Sequence, residues 1–556
     1  MAGPPDPRAA AEIFAQAVSF HRQGRIAPAE TLFRAVLARD PDHAGALRHL
    51  GAARLQNGDY GEAVRLLRRA LERDPDAADA HVNFGAALHG LKRPADALEH
   101  FEKAIALEPG RVEAHFNLGR ALHELDRAAE AGECYKRTLA LKPDHAHAHN
   151  NLGNVLLTLN RPRDAIGCIE AALALQPDYA DAHSNLGIAL HALDRYAEAT
   201  ASYARALAIR PDHADAHNNL GLALRDMNRH EEAIACFEKA QAVKPDMVDA
   251  QVNESLVRLA LGDFDAGWKK YQWRLLTAGF HRRRNPRPLW LGNWDLAGKS
   301  ILLHGEQGLG DTLQFARYVP HVARQDARVI LAVQRPLAPL LATLEGVADL
   351  RAQGDSIPAY DCYCPLPSLP LAFHTTVDTI PAKVPYIGVP AERAAQWRPV
   401  MEPIGRPRIG LMWAGNLAHP NRRRWIPLPH LLPLVGTRPF HFVALQRDLP
   451  EGDAALLEST PVTTFLGERQ ADLADTAAIV AALDLVITVD TAIAHLAGAM
   501  GKPVWVLLPF SADWRWLRFR DDSPWYPTAR LFRQPAIGDW GGVVQRVHAA
   551  LQEWVK

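Results

Sequence analysis

Apolar and polar positions follow two regimes along the chain. From about residue 10 to 276 the apolar positions recur at helical spacing in 34-residue blocks. The blocks close on Pro41, Pro75, Pro109, Pro143, Pro177, Pro211 and Pro245. Gly51, Gly85, Gly119, Gly153, Gly187 and Gly221 keep the same period, as do Ala29, Ala63, Ala97, Ala131, Ala165, Ala199 and Ala233. The pattern predicts paired amphipathic helices whose small residues mark where the two helices touch. Proline ends each second helix because it has no backbone N–H to donate. Seven units reach residue 247, and VDAQVNESLVRLALGDFDAGWKKYQWRL keeps helical spacing without the glycine, as a capping unit would.

The period stops after 276. Residues 277–298, TAGFHRRRNPRPLWLGNWDLAGK up to its lysine, read as an ordered connector whose HRRRNPR cluster suits either a phosphate or a solvated basic linker. From Ser300 short apolar runs alternate with amphipathic ones: SILLHGE as strand, EQGLGD as glycine loop, TLQFARYVPHVARQ as helix, RVILAV as strand. RIGLMWAGN, HFVALQ, DLVITV and PVWVLL are further strands, with helices at ADTAAIVAAL and TAIAHLAGAMG. Alternation of this kind predicts parallel sheets covered on both faces. Two such sets, 299–400 and 405–535, would face each other across a cleft, and the helix at 541–556 would pack back on the second. Ligands of such sheets bind beyond the carboxyl ends of the strands.

Charge and composition narrow the classes. A formal net charge of −1 gives no basic field for nucleic acid. Five cysteines in 556 residues exclude a disulfide framework; Cys134, Cys168 and Cys236 occupy equivalent helical positions, and Cys362 and Cys364 form a lone C-x-C. The start, MAGPPDPRAAAE, is no secretory signal, and no run of 18 apolar residues exists, so a soluble, cytoplasmic protein without a membrane span is expected.

Three segments carry candidate chemistry. Gly305-Glu306-Gln307-Gly308-Leu309-Gly310-Asp311 lacks the G-K-[ST] end of a P-loop and is not G-x-G-x-x-G. Gly308 and Gly310 would let backbone approach a ligand at a helix start. Asp311 fits an N-cap with Gln314 completing a capping box, and equally a general base at the top of a strand. In ITVDTAIAHLAGAMGKP, Asp490 and Thr491 open a helix and His495 lies one turn on, a geometry suited to a diphosphate; Asp490 also fits a plain cap. In WAGNLAHPNRRRW, Asn416, His419 and Arg422 to Arg424 could neutralise phosphate without metal, and with no D-x-D pair or His/Cys ligand cluster, no metal and no cofactor are expected.

One asparagine per helical unit recurs on the first helix: Asn83, Asn117, Asn151, Asn185, Asn219 and Asn253. An amide offers donors and an acceptor that match an extended peptide backbone, so these residues are candidates for binding an acceptor peptide; bonding to the neighbouring repeat is the alternative. His81, His115, His149, His183 and His217 also recur, each a full repeat from the next, which favours packing between helices over metal binding.

The 34-residue unit resembles the tetratricopeptide repeat (TPR), whose array is an α-solenoid. GEQGLGDTLQFARYVP, WAGN…RRRW, VALQ and VDTAIAHLAGAMGKPVWVLLP…DWRW resemble the C-terminal half of bacterial TPR-linked glycosyltransferases. That half is similar to the heptosyltransferase family, with a GT-B fold of two facing Rossmann-like domains. The whole arrangement is similar to O-GlcNAc transferase and to TPR-bearing flagellin glycosyltransferases. The resemblance implies that Asp311 is the base, that Arg424 lies near the donor phosphates, and that Gln446 occupies the strand-end LQ. It implies that Asp490, Thr491 and His495 form the donor-diphosphate segment. The family often has N-D-x-x-R-S where this chain reads Asn421-Arg422-Arg423-Arg424-Trp425, which leaves open which arginine meets phosphate. The implied function is an inverting, metal-independent transfer of sugar from a nucleotide-sugar to Ser or Thr of a protein, flagellin or another surface protein, held by the TPR groove. The alternatives are an adaptor that has lost catalysis and a glycan or lipopolysaccharide transferase.

Overall fold

A computed structural model describes residues 7–277, 285–306, 308–417, 422–435, 439–460 and 463–554. Among them, sixteen α-helices run from Pro7–Arg22 to Phe264–Tyr271, a long TPR solenoid followed by a region of parallel sheets consistent with an α/β GT-B domain. The chain divides into two compact units, Met1–Leu220 and Gly221–Lys556.

Within the first unit the periodic glycines have a steric cause. A Cβ on Gly51 would sit 2.6 Å from Leu67 Cγ, on Gly85 2.7 Å from the Phe101 ring, and on Gly153 2.5 Å from Ile169 Cγ1. The large partners Leu67, Phe101, Tyr135, Ile169 and Tyr203 are themselves 34 residues apart, and each is essentially sealed from solvent. The turn inside each repeat places Gly24, Gly58, Lys92, Asp126, Asn160 and Asp194 at positive φ, between 56° and 76°. Glycine, asparagine and aspartate tolerate this left-handed region best, and only Lys92 departs from that set.

The recurrent histidines share a hydrogen bond to the preceding repeat, and His81 also stacks on His100 of the next helix, as packing between helices predicts. Nε2 of His81, His115, His149, His183 and His217 lies 2.8–3.0 Å from the carbonyl oxygen of Pro75, Pro109, Pro143, Pro177 and Pro211. Each imidazole thus satisfies the carbonyl of the proline that closes the preceding repeat.

In the second unit the eighth helical pair departs from a cap. A capping repeat presents a polar outer face, whereas Phe264, Trp268 and Tyr271 are buried in a cluster with Phe315, Trp514 and Trp525. The Trp268 and Trp514 ring centroids are 5.3 Å apart, and Trp268 Nε1 donates to the Thr375 carbonyl at 3.1 Å. The last helical pair therefore packs into the sheets, and the second compact unit begins inside the seventh repeat.

The connector's residues 278–284, including most of HRRRNPR, lie outside the described residues. The rest of it joins the first sheet: Leu289 bridges Tyr363, and Trp290 N–H donates to the Tyr363 carbonyl at 2.8 Å. That sheet has four parallel strands in the order β3-β2-β1-β4, where β1 is Ser300–His304, β2 Arg328–Val333, β3 Asp349–Ala352 and β4 Cys362–Pro365. The second has six parallel strands in the order β10-β9-β8-β5-β6-β7. These are β5 Arg408–Met412, β6 His441–Ala444, β7 Thr463–Phe465, β8 Leu485–Val489, β9 Val504–Leu508 and β10 Ala529–Arg533.

Strands β8 and β9 are buried throughout, as strands covered on both faces must be. The last helix, Trp540–Trp554, covers one face of the second sheet with Val543, Val547 and Leu551, each worth about 1.5–3 kcal/mol of burial. The single amphipathic helix expected at TLQFARYVPHVARQ is broken. It comprises an α-helix at Leu309–Phe315, a 3-10 turn at Ala316–Tyr318 and a short helix at Val319–Ala323 that starts beside Pro320.

Candidate active site

A cleft of about 800 Å³ opens within the second unit at the carboxyl ends of both sheets. Gly308, Gly310, Asp311 and Pro336 line it from the first sheet. Asn416, Arg424, Arg447, Asp490, Thr491, His495, Asp513 and Arg515 line it from the second. The chain leaves β5 toward β6 and β7, then returns to β8 on β5's other side, so the cleft lies at the point where strand order reverses. Ligands of open α/β sheets bind at that point.

Asp311 is not a helix cap. The N-cap of Leu309–Phe315 is Gly308, which places Asp311 at the third helical position with its carboxylate turned to the cleft. A Cβ on Gly308 would lie 2.7 Å from Asp311 Oδ2, and one on Gly310 would lie 2.7 Å from His495 Cδ2. Both glycines therefore leave room for the side chains beside them.

Charges alternate along the cleft. Arg515 Nη2 lies 2.5 Å from Asp311 Oδ1, Arg515 Nη1 2.7 Å from Asp513 Oδ1, and Arg515 Nε donates to Gln314 Oε1 at 2.9 Å. Arg424 Nη2 lies 3.4 Å from Asp513 Oδ2 and its Nη1 3.2 Å from Asp490 Oδ2. Three carboxylates and two guanidiniums thus form one chain from Asp311 to Asp490. Burial pushes the Asp513 carboxyl up, but Arg515 and Arg424 outweigh it and bring the carboxyl down to about 2. Burial raises Asp490, which Arg424 offsets only in part. Burial lowers Arg515, but Asp311 and Asp513 overcome that and hold it well above the ordinary guanidinium value.

The three arginines diverge in position. Arg424 faces the cleft, Arg423 Nη1 reaches Asp226 Oδ2 at 3.1 Å, and the Arg422 guanidinium stacks 5.0 Å from the Trp425 ring centre. His419 and Asn421 lie outside the described residues. Asn416 is exposed on the loop after β5 and lines the cleft.

Three other expected donor contacts sit differently from the sequence expectation. Gln446 is not on the cleft: it is buried, its Oε1 accepts from Ala414 N–H at 3.1 Å and its Nε2 donates to the Asp448 carbonyl at 3.0 Å. Its amide is spent on tying together the loops after β5 and β6. Asp490 does not cap the helix Ala492–Ala499; Thr491 does, accepting from Ile493 N–H at 3.3 Å, while Asp490 anchors Arg424. His495 is buried, with Nδ1 2.9 Å from the Tyr526 hydroxyl and its ring stacked on Trp516. Burial, then the nearby Arg515, lowers it to about 3, so it meets the cleft as a neutral imidazole.

The asparagines are half-buried, and some have partners inside the array. Asn185 Nδ2 donates to Asn150 Oδ1 at 2.9 Å across a repeat boundary, and Asn151 Nδ2 reaches the Tyr135 hydroxyl at 3.5 Å.

Arg515 and Asp513 are the residues that sequence reasoning missed. Their signal was DWRW: Trp514 and Trp516 are buried anchors, and the arginine between them points into the cleft. The turn is strained, with Leu517 at φ 51° and Phe519 at φ 60°, conformations that cost a non-glycine residue about 1–3 kcal/mol. Arg533 Nη2 holds it by donating to the carbonyls of Trp516 and Leu517 at 2.7 and 2.8 Å.

Tetratricopeptide repeat families match residues 14–78, 50–111, 88–152, 150–214 and 214–247. Residues 454–509, which include Asp490, Thr491 and His495, match glycosyltransferase family 9 (heptosyltransferase). Over 327 residues the chain is 30% identical to protein FlbA of Caulobacter vibrioides, an alignment covering 54% of each protein, so the chain spans about half the length of that relative. Among solved structures, YrrB, a TPR protein, is 24% identical with a TM-score of 0.29 over 33% of this chain and 95% of its own. A thermophilic TPR protein of Thermus thermophilus is 26% identical with a TM-score of 0.30 over 33% of this chain and 100% of its own. Both scores are too low to add to the fold described above. With helical repeats over 14–247 and a family 9 segment over 454–509 on one chain, this protein resembles the TPR-linked glycosyltransferases.

Proposed function

We propose that the cleft binds a nucleotide-sugar and that the protein transfers the sugar to a Ser or Thr hydroxyl of a protein acceptor held by the helical repeats. The observation that carries this reading is the chain of alternating charges that begins at Asp311 and ends at Asp490, inside the segment matched to family 9. Asp311 accepts the hydroxyl proton as the acceptor oxygen bonds to the anomeric carbon. The bond from that carbon to the diphosphate breaks on the opposite face, which inverts the configuration. Arg424, Arg515 and the first-turn N–H groups of helix Ala492–Ala499 take up the charge of the leaving diphosphate. The reading includes no metal, since guanidiniums line the cleft to do that work, and it places the reaction in the cytoplasm with flagellin or another surface protein as acceptor.

A glycan acceptor is the second reading, favoured by the heptosyltransferase description of the matched family. The test is calorimetry of the full chain against UDP, ADP, GDP and CMP sugars, with and without EDTA, followed by mass spectrometry of surface proteins and glycans from a deletion strain. Binding of one nucleotide-sugar that EDTA leaves unchanged, with loss of a protein-linked sugar in the strain, is the expected result. Folded protein that binds none of them refutes the donor reading. Loss of a glycan residue alone moves the acceptor to the second reading.

A further inference from the structure

Arg515 connects the two sides of the cleft. Asp311 belongs to the helix that follows β1, while Asp513 lies on the loop after β9, and one guanidinium bonds both. Asp311 Oδ1 accepts a hydrogen bond from Arg515 Nη2. A hydroxyl that takes the place of Nη2 on Oδ1 does so by displacing it. The Arg515 stem is held independently of Asp311, by Gln314 at Nε, by Asp513 at Nη1 and by its cation–π contact 4.5 Å from the Trp514 ring centre. Nη2 is the arm that can change partner without loosening the rest, and a planar guanidinium takes phosphate oxygens as readily as carboxylate ones.

We propose that Arg515 is a positioning residue that keeps Asp311 engaged until the donor diphosphate draws the Nη2 arm away, so that the base is freed only once the donor is in place. The inference rests on the donor reading given above and deepens it by fixing an order of events. Its consequence runs against intuition: removing the base should improve nucleotide binding, because the diphosphate no longer competes with Asp311 for Arg515.

The test is the Kd of UDP, ADP, GDP and CDP for the full chain, measured by calorimetry. Asp311→Asn is expected to lower the Kd of the bound nucleotide about tenfold, equivalent to about 1.4 kcal/mol. Asp472→Asn removes a carboxylate that caps helix Leu473–Ala481 and pairs with Arg393 rather than Arg515, so it reads the through-space effect of one charge; it is expected to change Kd less than twofold. An unchanged or weaker Kd in folded Asp311→Asn overturns the inference while leaving the donor reading standing. So does an equal gain in Asp472→Asn. Folded wild-type protein that binds none of the four nucleotides overturns the inference, while the donor reading stands or falls on the nucleotide-sugar titration given above.

Discussion

Arg274 Nη2 lies 2.6 Å from Glu306 Oε1, with side-chain exposures of 6% and 8%. Arg274 belongs to the 3-10 turn Gln272–Leu276 that ends the helical region, and Glu306 begins the glycine loop that leads to Asp311. The guanidinium also donates to the Ser368 hydroxyl at 2.8 Å and to the Tyr271 carbonyl at 3.1 Å. The pair thus ties the end of the repeats to the loop that presents the base. Breaking a buried pair leaves an uncompensated charge and costs about 3–5 kcal/mol. Glu306→Gln should lower the melting temperature accordingly, a loss that thermal unfolding of wild type and variant will read. A variant as stable as wild type would mean that the pair contributes only geometry.

Asp311→Asn should reduce sugar transfer by roughly 10²-fold or more, the usual contribution of a positioned base. Stability should change little, because Asp311 caps no helix and Arg515 keeps Asp513. Transfer rate and melting curve from one preparation separate the two effects. Full activity would remove Asp311 from the mechanism, and Glu306, locked to Arg274, could not replace it.

The repeat glycines divide into two kinds. Gly153→Ala would push a methyl to 2.5 Å from Ile169, an overpacking that costs about 1–3 kcal/mol. Gly167→Ala, on the helix Pro162–Leu175, meets nothing within 4 Å and should instead stabilise by about 0.5–1 kcal/mol through helix propensity. Urea titration of both variants gives opposite signs if the packing is as described, and the same sign for both would contradict it.

Stability should fall in mild acid through His495. Its folded value of about 3 lies below the ordinary 6.5, so only the unfolded chain takes up a proton between those values. The stabilising contribution is therefore complete above pH 6.5 and is lost as the pH falls, by about 1.4 kcal/mol per unit. At pH 5 the loss is about 2 kcal/mol. His21, His49, His100 and His230 are also depressed by burial, so the measurement is the difference between wild type and His495→Asn across pH 5–8. Parallel curves would show that His495 does not titrate between the two states.

Replacing Asn151, Asn185 and Asn219 together by alanine tests the acceptor side. Each amide is worth about 0.5–1.5 kcal/mol if it bonds a peptide backbone, so the triple variant should bind protein acceptor roughly tenfold more weakly or worse. Hydrolysis of the donor should persist. If bonds such as Asn185 to Asn150 are what the asparagines supply, melting temperature falls instead. A stable variant with unchanged protein transfer would end the peptide-groove reading.

The helical half was legible in the sequence because each repeat contacts its neighbours in the same way, so one steric rule prints itself at every 34th residue. Gly153 against Ile169 and His149 against Pro143 are both local events, repeated. The strands β5, β6, β8 and β9 were equally legible, since burial on both faces demands unbroken apolar runs. Tertiary structure alone decided what depends on residues far apart in the chain. It turned the supposed cap of the repeats into part of the α/β core, because Phe264 and Trp268 meet Trp514 and Trp525. It separated Arg424 from Arg422 and Arg423, whose side chains diverge to different partners. It withdrew Gln446 from the cleft and brought Arg515 across to Asp311, 204 positions away. Periodicity encodes contacts between neighbours in sequence, whereas a charge network across a cleft leaves no period to read.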